Sequence, residues 1–88
     1  MTRQEFVRQL EAEGYGNIRE LVCEPDMSRE MHTHDFAASV MVLSGDWSLV
    51  TEAGSTTVAP GETCKLAAGV SHTERIGPAG ATILIGQK

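Results

Sequence analysis

Three histidines, His32, His34 and His72, are the residues of this 88-residue chain whose type and spacing best suit metal chemistry. His32 and His34 stand two apart in "MHTHDF", just ahead of the apolar run "FAASVMVL". On a strand, residues i and i+2 face the same side. An H-x-H pair there aims two imidazoles into one space. A divalent metal takes imidazole nitrogens at roughly 2.0–2.1 Å, and such a pair supplies two of them without distorting a loop. His72 follows the turn "AAGVS". If its strand lies beside or opposite the first, three imidazoles meet. The plainer alternative is a solvated pair on a surface strand and an exposed turn histidine, and spacing alone does not choose.

Other residues bear on the same space. Glu74 is two after His72, so on a strand it shares that face; it either supplies a fourth ligand or works as an acid/base near the metal. Its alternative is a solvated strand glutamate paired with Arg75 or Lys65. Cys64, on the strand before His72, is either a soft fourth ligand or a small buried hydrophobe. Phe36 and Trp47 are candidates to pack in or near the core and to wall a pocket. Met27, Met31 and Met41 either line the same cavity or fill irregular gaps in the core.

The elements that must position these residues are short. Thr2 and Glu5 form a capping-box pattern that opens a helix over 2–13. Phe6, Val7 and Leu10 share one of its faces, and Gly14 and Gly16 end it. With so few apolar residues the helix is expected to pack as an appendage on something else. Strand signals follow: Ile18–Glu24, then "HTHDFAASVMVLS" into a turn at Gly45-Asp46, then Trp47–Glu52, "TTVA", "TCKLA", "SHTERI" into a turn at Gly77-Pro78, and "ATILIG". Turns every ten residues or so are the mark of an all-β sandwich or barrel. Helices do not alternate with strands, which argues against a parallel α/β sheet.

The order of these features is similar to that of a small single-domain cupin of the conserved-barrel, RmlC-like superfamily. The first cupin motif, roughly G-x5-H-x-H-x3,4-E-x6-G, is matched by "MHTHDFAASVMVLSG" through His32, His34 and Gly45. The second, roughly G-x5-P-x-G-x2-H-x3-N, is matched by "PGETCKLAAGVSH" through Gly61, Gly69 and His72. The resemblance covers residues 18–86. It implies an all-β, cupin-type double-stranded β-helix, a jelly-roll barrel, which joins the short N-terminal α-helix in the single domain, 1–88, that the length of the chain indicates. It also implies a divalent metal ion on His32, His34 and His72. Iron, nickel, manganese and zinc all suit such a site, and imidazole ligands do not name the ion. The chain departs from the motifs in three places. The usual metal-binding glutamate is missing, since positions 37–39 are Ala37, Ala38 and Ser39, and Asp35 should point to the opposite face from His34. Ile76 stands where the family often has Asn. Ala67 stands in place of the usual proline before Gly69.

A net charge of -5 with seven scattered Lys and Arg residues argues against a nucleic-acid partner and an anionic membrane surface. The apolar runs are too short to span a membrane, and "MTRQEFVRQLEAEG" lacks the apolar core of a signal peptide. These features point to the cytoplasm, where Cys23 and Cys64 are expected to stay reduced. A domain of this size has a small core, so a homodimer is expected. The partner expected from the site is a small organic molecule. Three functions follow: a metal-dependent enzyme, dioxygenase- or isomerase-like; a non-catalytic small-molecule-binding or sensor cupin; or a barrel with a vestigial metal site. Fold alone does not choose among them.

Overall fold

The structure is a computed structural model that describes residues 1–27 and 30–88. The helix α1 spans Arg3–Ala12, one residue shorter at each end than the capping pattern predicts. Thr2 caps it: its hydroxyl accepts from the Glu5 N–H, and the Glu5 carboxylate accepts from the Thr2 N–H, a complete capping box. Five strands follow: β1 Gly16–Cys23, β2 Ala38–Thr51, β3 Gly54–Val58, β4 Thr63–Leu66 and β5 His72–Gln87. All their pairings are antiparallel.

Two long strands organise the barrel. The first part of β2 (Ala38–Met41) lies between β4 and the end of β5, and its last part (Trp47–Thr51) lies between β3 and the start of β5. β1 covers the end of β5, with Cys23 opposite Ala81 and Leu21 opposite Ile83. After β1 the chain returns alongside the start of β5. The Asp26 N–H donates to Gly77 O and the Ile76 N–H donates to Met27 O. His32 and His72 then exchange two backbone hydrogen bonds of 2.8 and 2.9 Å. The two halves face each other, and Val40, Val42 and Ile83 from one half meet Trp47, Leu49, Val58 and Ile76 from the other.

The turns expected at Gly45-Asp46 and Gly77-Pro78 are absent as chain reversals. Both dipeptides lie inside continuous strands. The pairing of β2 with β5 shifts register between Val42 and Ser44 and again between Gly45 and Trp47. At the second shift, four residues of β5 (77–80) bulge out against Asp46 alone. The bulges have a structural role. The inward residues of β2 are Val40 and Val42 before them and Trp47 and Leu49 after, a change from even to odd positions. β5 makes the same change, from His72, Glu74 and Ile76 to Ala81, Ile83 and Ile85. An uninterrupted strand keeps a period of two. Each irregularity adds an odd number of residues to one strand, one to β2 and three to β5, and so keeps the apolar set inside as the strand bends from one half of the barrel to the other.

A second core lies outside the barrel wall. Phe6 and Leu10 of α1 are fully buried against Tyr15, Met41 and Leu84. Burial of each such side chain stabilises by about 1.5–3 kcal/mol, which fixes the helix on the outer face of β2 and β5. The expectation that α1 packs on the barrel from outside therefore holds. Met41 belongs to this outer core and Met31 is exposed; of the three methionines considered for the cavity, only Met27 lines it.

Candidate metal centre and cavity

The three histidines converge. One ligand nitrogen from each of His32, His34 and His72 lies within 4.8 Å of the others. The ring centroids are 4.5 Å apart for His32 and His72, 4.8 Å for His32 and His34, and 5.0 Å for His34 and His72. The route to this cluster differs from the expected one. His32 and His34 precede β2 in irregular chain rather than sharing a face of a strand. His32 is placed by its backbone bridge to His72, and the His34 carbonyl accepts from the Gly69 N–H at 2.8 Å. Only His72 lies in a regular strand, as the first residue of β5.

Local hydrogen bonds select which nitrogen each ring presents. The Nδ1 of His32 is 2.9 Å from Glu30 O, and the Nδ1 of His72 is 3.0 Å from Val70 O. A carbonyl only accepts, so Nδ1 carries the proton and the lone pair is on Nε2. That tautomer is the one metal-binding histidines use, with a carbonyl orienting each ring from behind. His34 is held by packing instead, its ring stacked on Phe36 at 4.6 Å. The donor set therefore fits a divalent ion: three imidazoles converge, two of them pre-oriented, and His34 and His72 also line a cavity.

Burial holds His34 below the usual histidine pKa, and the neighbouring His32 and His72 push it the same way. The unfolded chain takes up a proton near pH 6.5 more readily than the folded one does. The contribution of His34 is therefore full above that pH and is lost as pH falls through the lower folded value. The unfolding midpoint of metal-free protein is expected to drop as pH is lowered below 6.5. His34→Gln should flatten that drop, and an equal pH slope in the variant would contradict the assignment.

The cavity holds about 200 Å³. Phe36 and Trp47 both wall it, as their sequence positions suggest. Glu74 lines it too, on the face of β5 that carries His72, with Oε1 3.7 Å from His72 Nε2. That is too long for a hydrogen bond, and it leaves the carboxylate available to a ligand. Lys65, considered above as a partner of Glu74, pairs with Glu13 at 2.7 Å instead. Asp35 is exposed and outside the histidine cluster. Ala37, Ala38 and Ser39 bring no carboxylate, so Glu74 is the one acidic residue lining the cavity among the described residues. Cys64 lines the cavity but does not join the cluster of possible metal ligands. Burial raises its thiol pKa, which disfavours the thiolate that a metal requires.

One lining residue has no counterpart in the motif reading. Arg19 projects inward from β1 with Leu21 and Cys23. Strand alternation offers a signal for it: "IRELVC" places Arg19 on the same face as Leu21 and Cys23.

No protein-family model matches the sequence, and no curated protein matches it. Solved structures do. A cupin-2 domain containing protein from Shewanella frigidimarina is 20% identical, with a TM-score of 0.67 over 77% of this chain and 65% of that one. The fold is that of a cupin. A second solved cupin, a sugar phosphate isomerase from Silicibacter pomeroyi, is 24% identical with a TM-score of 0.70 over 90% of this chain and 55% of that one. A DMSP lyase from Ruegeria pomeroyi is 15% identical with a TM-score of 0.73 over 81% and 36%. The cupin barrel described here spans less than two thirds of each of these three proteins. At such identities the likeness is one of fold. The resemblance read from the two sequence motifs is thus carried through into the architecture. Among the described residues no helix is long and apolar enough to cross a membrane.

Proposed function

We propose that this cupin is a single metal-binding domain, a cytoplasmic homodimer, that carries out proton-transfer chemistry of the isomerase or lyase kind on a small organic molecule. His32, His34 and His72 hold a divalent ion, and Glu74 is the acid/base. The observation that carries this reading is the placement of Glu74: among the described residues it is the one carboxylate lining the cavity, on the wall of His72 and 3.7 Å from that ring's Nε2. A bound divalent ion supplies Lewis-acid polarisation of a substrate oxygen. Glu74 takes a proton from the substrate carbon next to that oxygen and returns it at the neighbouring position or to a leaving group. Phe36 holds the His34 ring in place and walls the cavity beside it. The solved isomerase and lyase with this fold support a reaction of that class.

The test is elemental analysis of purified protein beside His32→Ala. About one equivalent of iron, nickel, manganese or zinc, lost in the variant, is the expected result; no metal after reconstitution would remove the metal site. Glu74→Gln should retain the metal and lower turnover by about 100-fold or more, the usual scale for an acid/base. Unchanged turnover would take that role away from Glu74. The second reading, a binding or sensor cupin, is favoured by the absence of a carboxylate at positions 37–39, and full metal and ligand binding without turnover would establish it.

A further inference from the structure

We propose, taking this cavity as the working site, that its ligand is a short-chain carboxylate carrying a second oxygen acceptor, a keto or hydroxyl group. Arg19 receives the carboxylate and the Trp47 indole N–H donates to the second oxygen.

Two donors point to this ligand, one without a hydrogen-bond partner and one without a carboxylate beside it. Trp47 is 3% exposed, walls the cavity, and its Nε1 is the one buried side-chain polar atom without a hydrogen-bond partner among the described residues. Buried indole N–H groups nearly always have an acceptor. The surroundings of Trp47 are apolar, with Leu49, Val58, Ile76 and Ile83 in the same cluster. The acceptor must therefore enter with the contents of the cavity. Arg19 is the second donor. Its Nη1 is anchored to Asn17 O at 2.9 Å and Gln87 Oε1 at 3.1 Å, which fixes the guanidinium. No carboxylate of the described residues lies within 4.0 Å of it, although Arg3 and Lys65 both have one. An arginine that lines an apolar cavity, held in place and with no carboxylate beside it, suits a carboxylate ligand, which its guanidinium can bind through two N–H donors.

Size and lining complete the description. A cavity of about 200 Å³ is below the roughly 300–1,000 Å³ of sites that take drug-sized molecules. Most of its wall is aliphatic or aromatic, so the stretch between the two oxygen-bearing ends is hydrocarbon. A neutral sugar, with hydroxyls on every carbon, would leave most of them without partners.

The chain carries a single tryptophan, so occupancy can be read from its own fluorescence. The experiment is calorimetric titration with 4-oxopentanoate and 5-oxohexanoate, with pentanoate and hexanoate, and with pentan-2-one, on metal-free and metal-loaded protein. At least one oxo acid is expected to bind, to perturb the Trp47 emission, and to bind about 5- to 10-fold tighter than the acid without the keto group, the scale of one hydrogen bond. Trp47→Phe should erase that ratio. Arg19→Gln should weaken both kinds of acid about 10-fold or more and leave the ketone unaffected. Equal binding of oxo and plain acids, ketone binding as tight as the acids, or no binding of either oxo acid overturns the proposal. So does an unchanged ratio in Trp47→Phe, in which case a water serves the indole. The comparison of ligands on the unaltered protein stands even if Trp47→Phe fails to fold. One equivalent of metal with no acid bound sinks this inference alone; acid bound to protein that takes up no metal sinks the metal reading and leaves this one.

Discussion

His72→Ala is expected to lose the metal and a substantial part of the stability together. The ring is 2% exposed, it packs against both other histidines, and its Nδ1 is bonded to Val70 O. Two ligands remain in the variant. Losing a partner behind a ligand already costs 10- to 100-fold in affinity, so losing the ligand itself should exceed 100-fold. Truncating a buried side chain of this size should also lower the unfolding free energy by about 2–4 kcal/mol. His32→Ala separates the two effects, because His32 is more exposed and its bridge to His72 uses only backbone atoms. It should lose the metal with a smaller change in urea midpoint. Metal content and urea unfolding on both variants decide the matter. Retention of a full equivalent in His72→Ala would place the ion elsewhere.

Gly45→Ala should be the most damaging single methyl in the chain. Gly45 has φ 88°, and a Cβ there would lie 2.0 Å from Gly80 O and 2.7 Å from Ala81 Cα. Those are backbone atoms of β5, held in register by the Gly45–Ala81 pairing, and they cannot turn aside. We expect a loss of about 4 kcal/mol or more, against a total stability of order 5–10 kcal/mol for a domain of this size. The variant should be recovered unfolded or with its denaturation midpoint strongly lowered. Gly61→Ala is the matched control: φ is 87°, but nothing lies within 4 Å of its Cβ. It carries only the backbone strain of about 1–2 kcal/mol. A Gly45→Ala protein no less stable than Gly61→Ala would refute the close approach.

The same glycine shows where sequence reading stops. A glycine beside an aspartate signals a left-handed backbone, and that signal is shared by a tight turn and a bulge. Whether the chain reverses or runs on depends on a distant partner. For Gly45 that partner is Gly80–Ala81, 35 residues away in "GPAGAT". The strand positions were legible because their apolar residues alternate. The fusion of two expected strands into β2, and of two into β5, was not. The histidine cluster was legible in its membership and misread in its mechanism. The H-x-H pair looked like the start of a strand because an apolar run follows, yet regular pairing begins only at Ala38. Glu74 was found through the period of two alone. The vacant donor on Trp47 had no local signal, because an unsatisfied N–H is defined by everything that surrounds it.

The wall between the cavity and the outer core is one strand thick. Along β2, Val40 and Val42 face the cavity side while Met41, between them, faces α1; along β5, Ile83 and Ile85 face in while Leu84 faces out. Neighbouring codons therefore write to two different properties. Changes at Phe6, Leu10, Met41 and Leu84 adjust how tightly the helix clasps the barrel, without altering any side chain that a ligand meets. Changes at Arg19, Trp47 or Glu74 alter the ligand's surroundings and leave the helix seat intact. Substitutions on opposite sides of such a wall, with no shared partners, should combine nearly additively. A lineage carrying this barrel can raise its heat tolerance and change its chemistry on separate schedules.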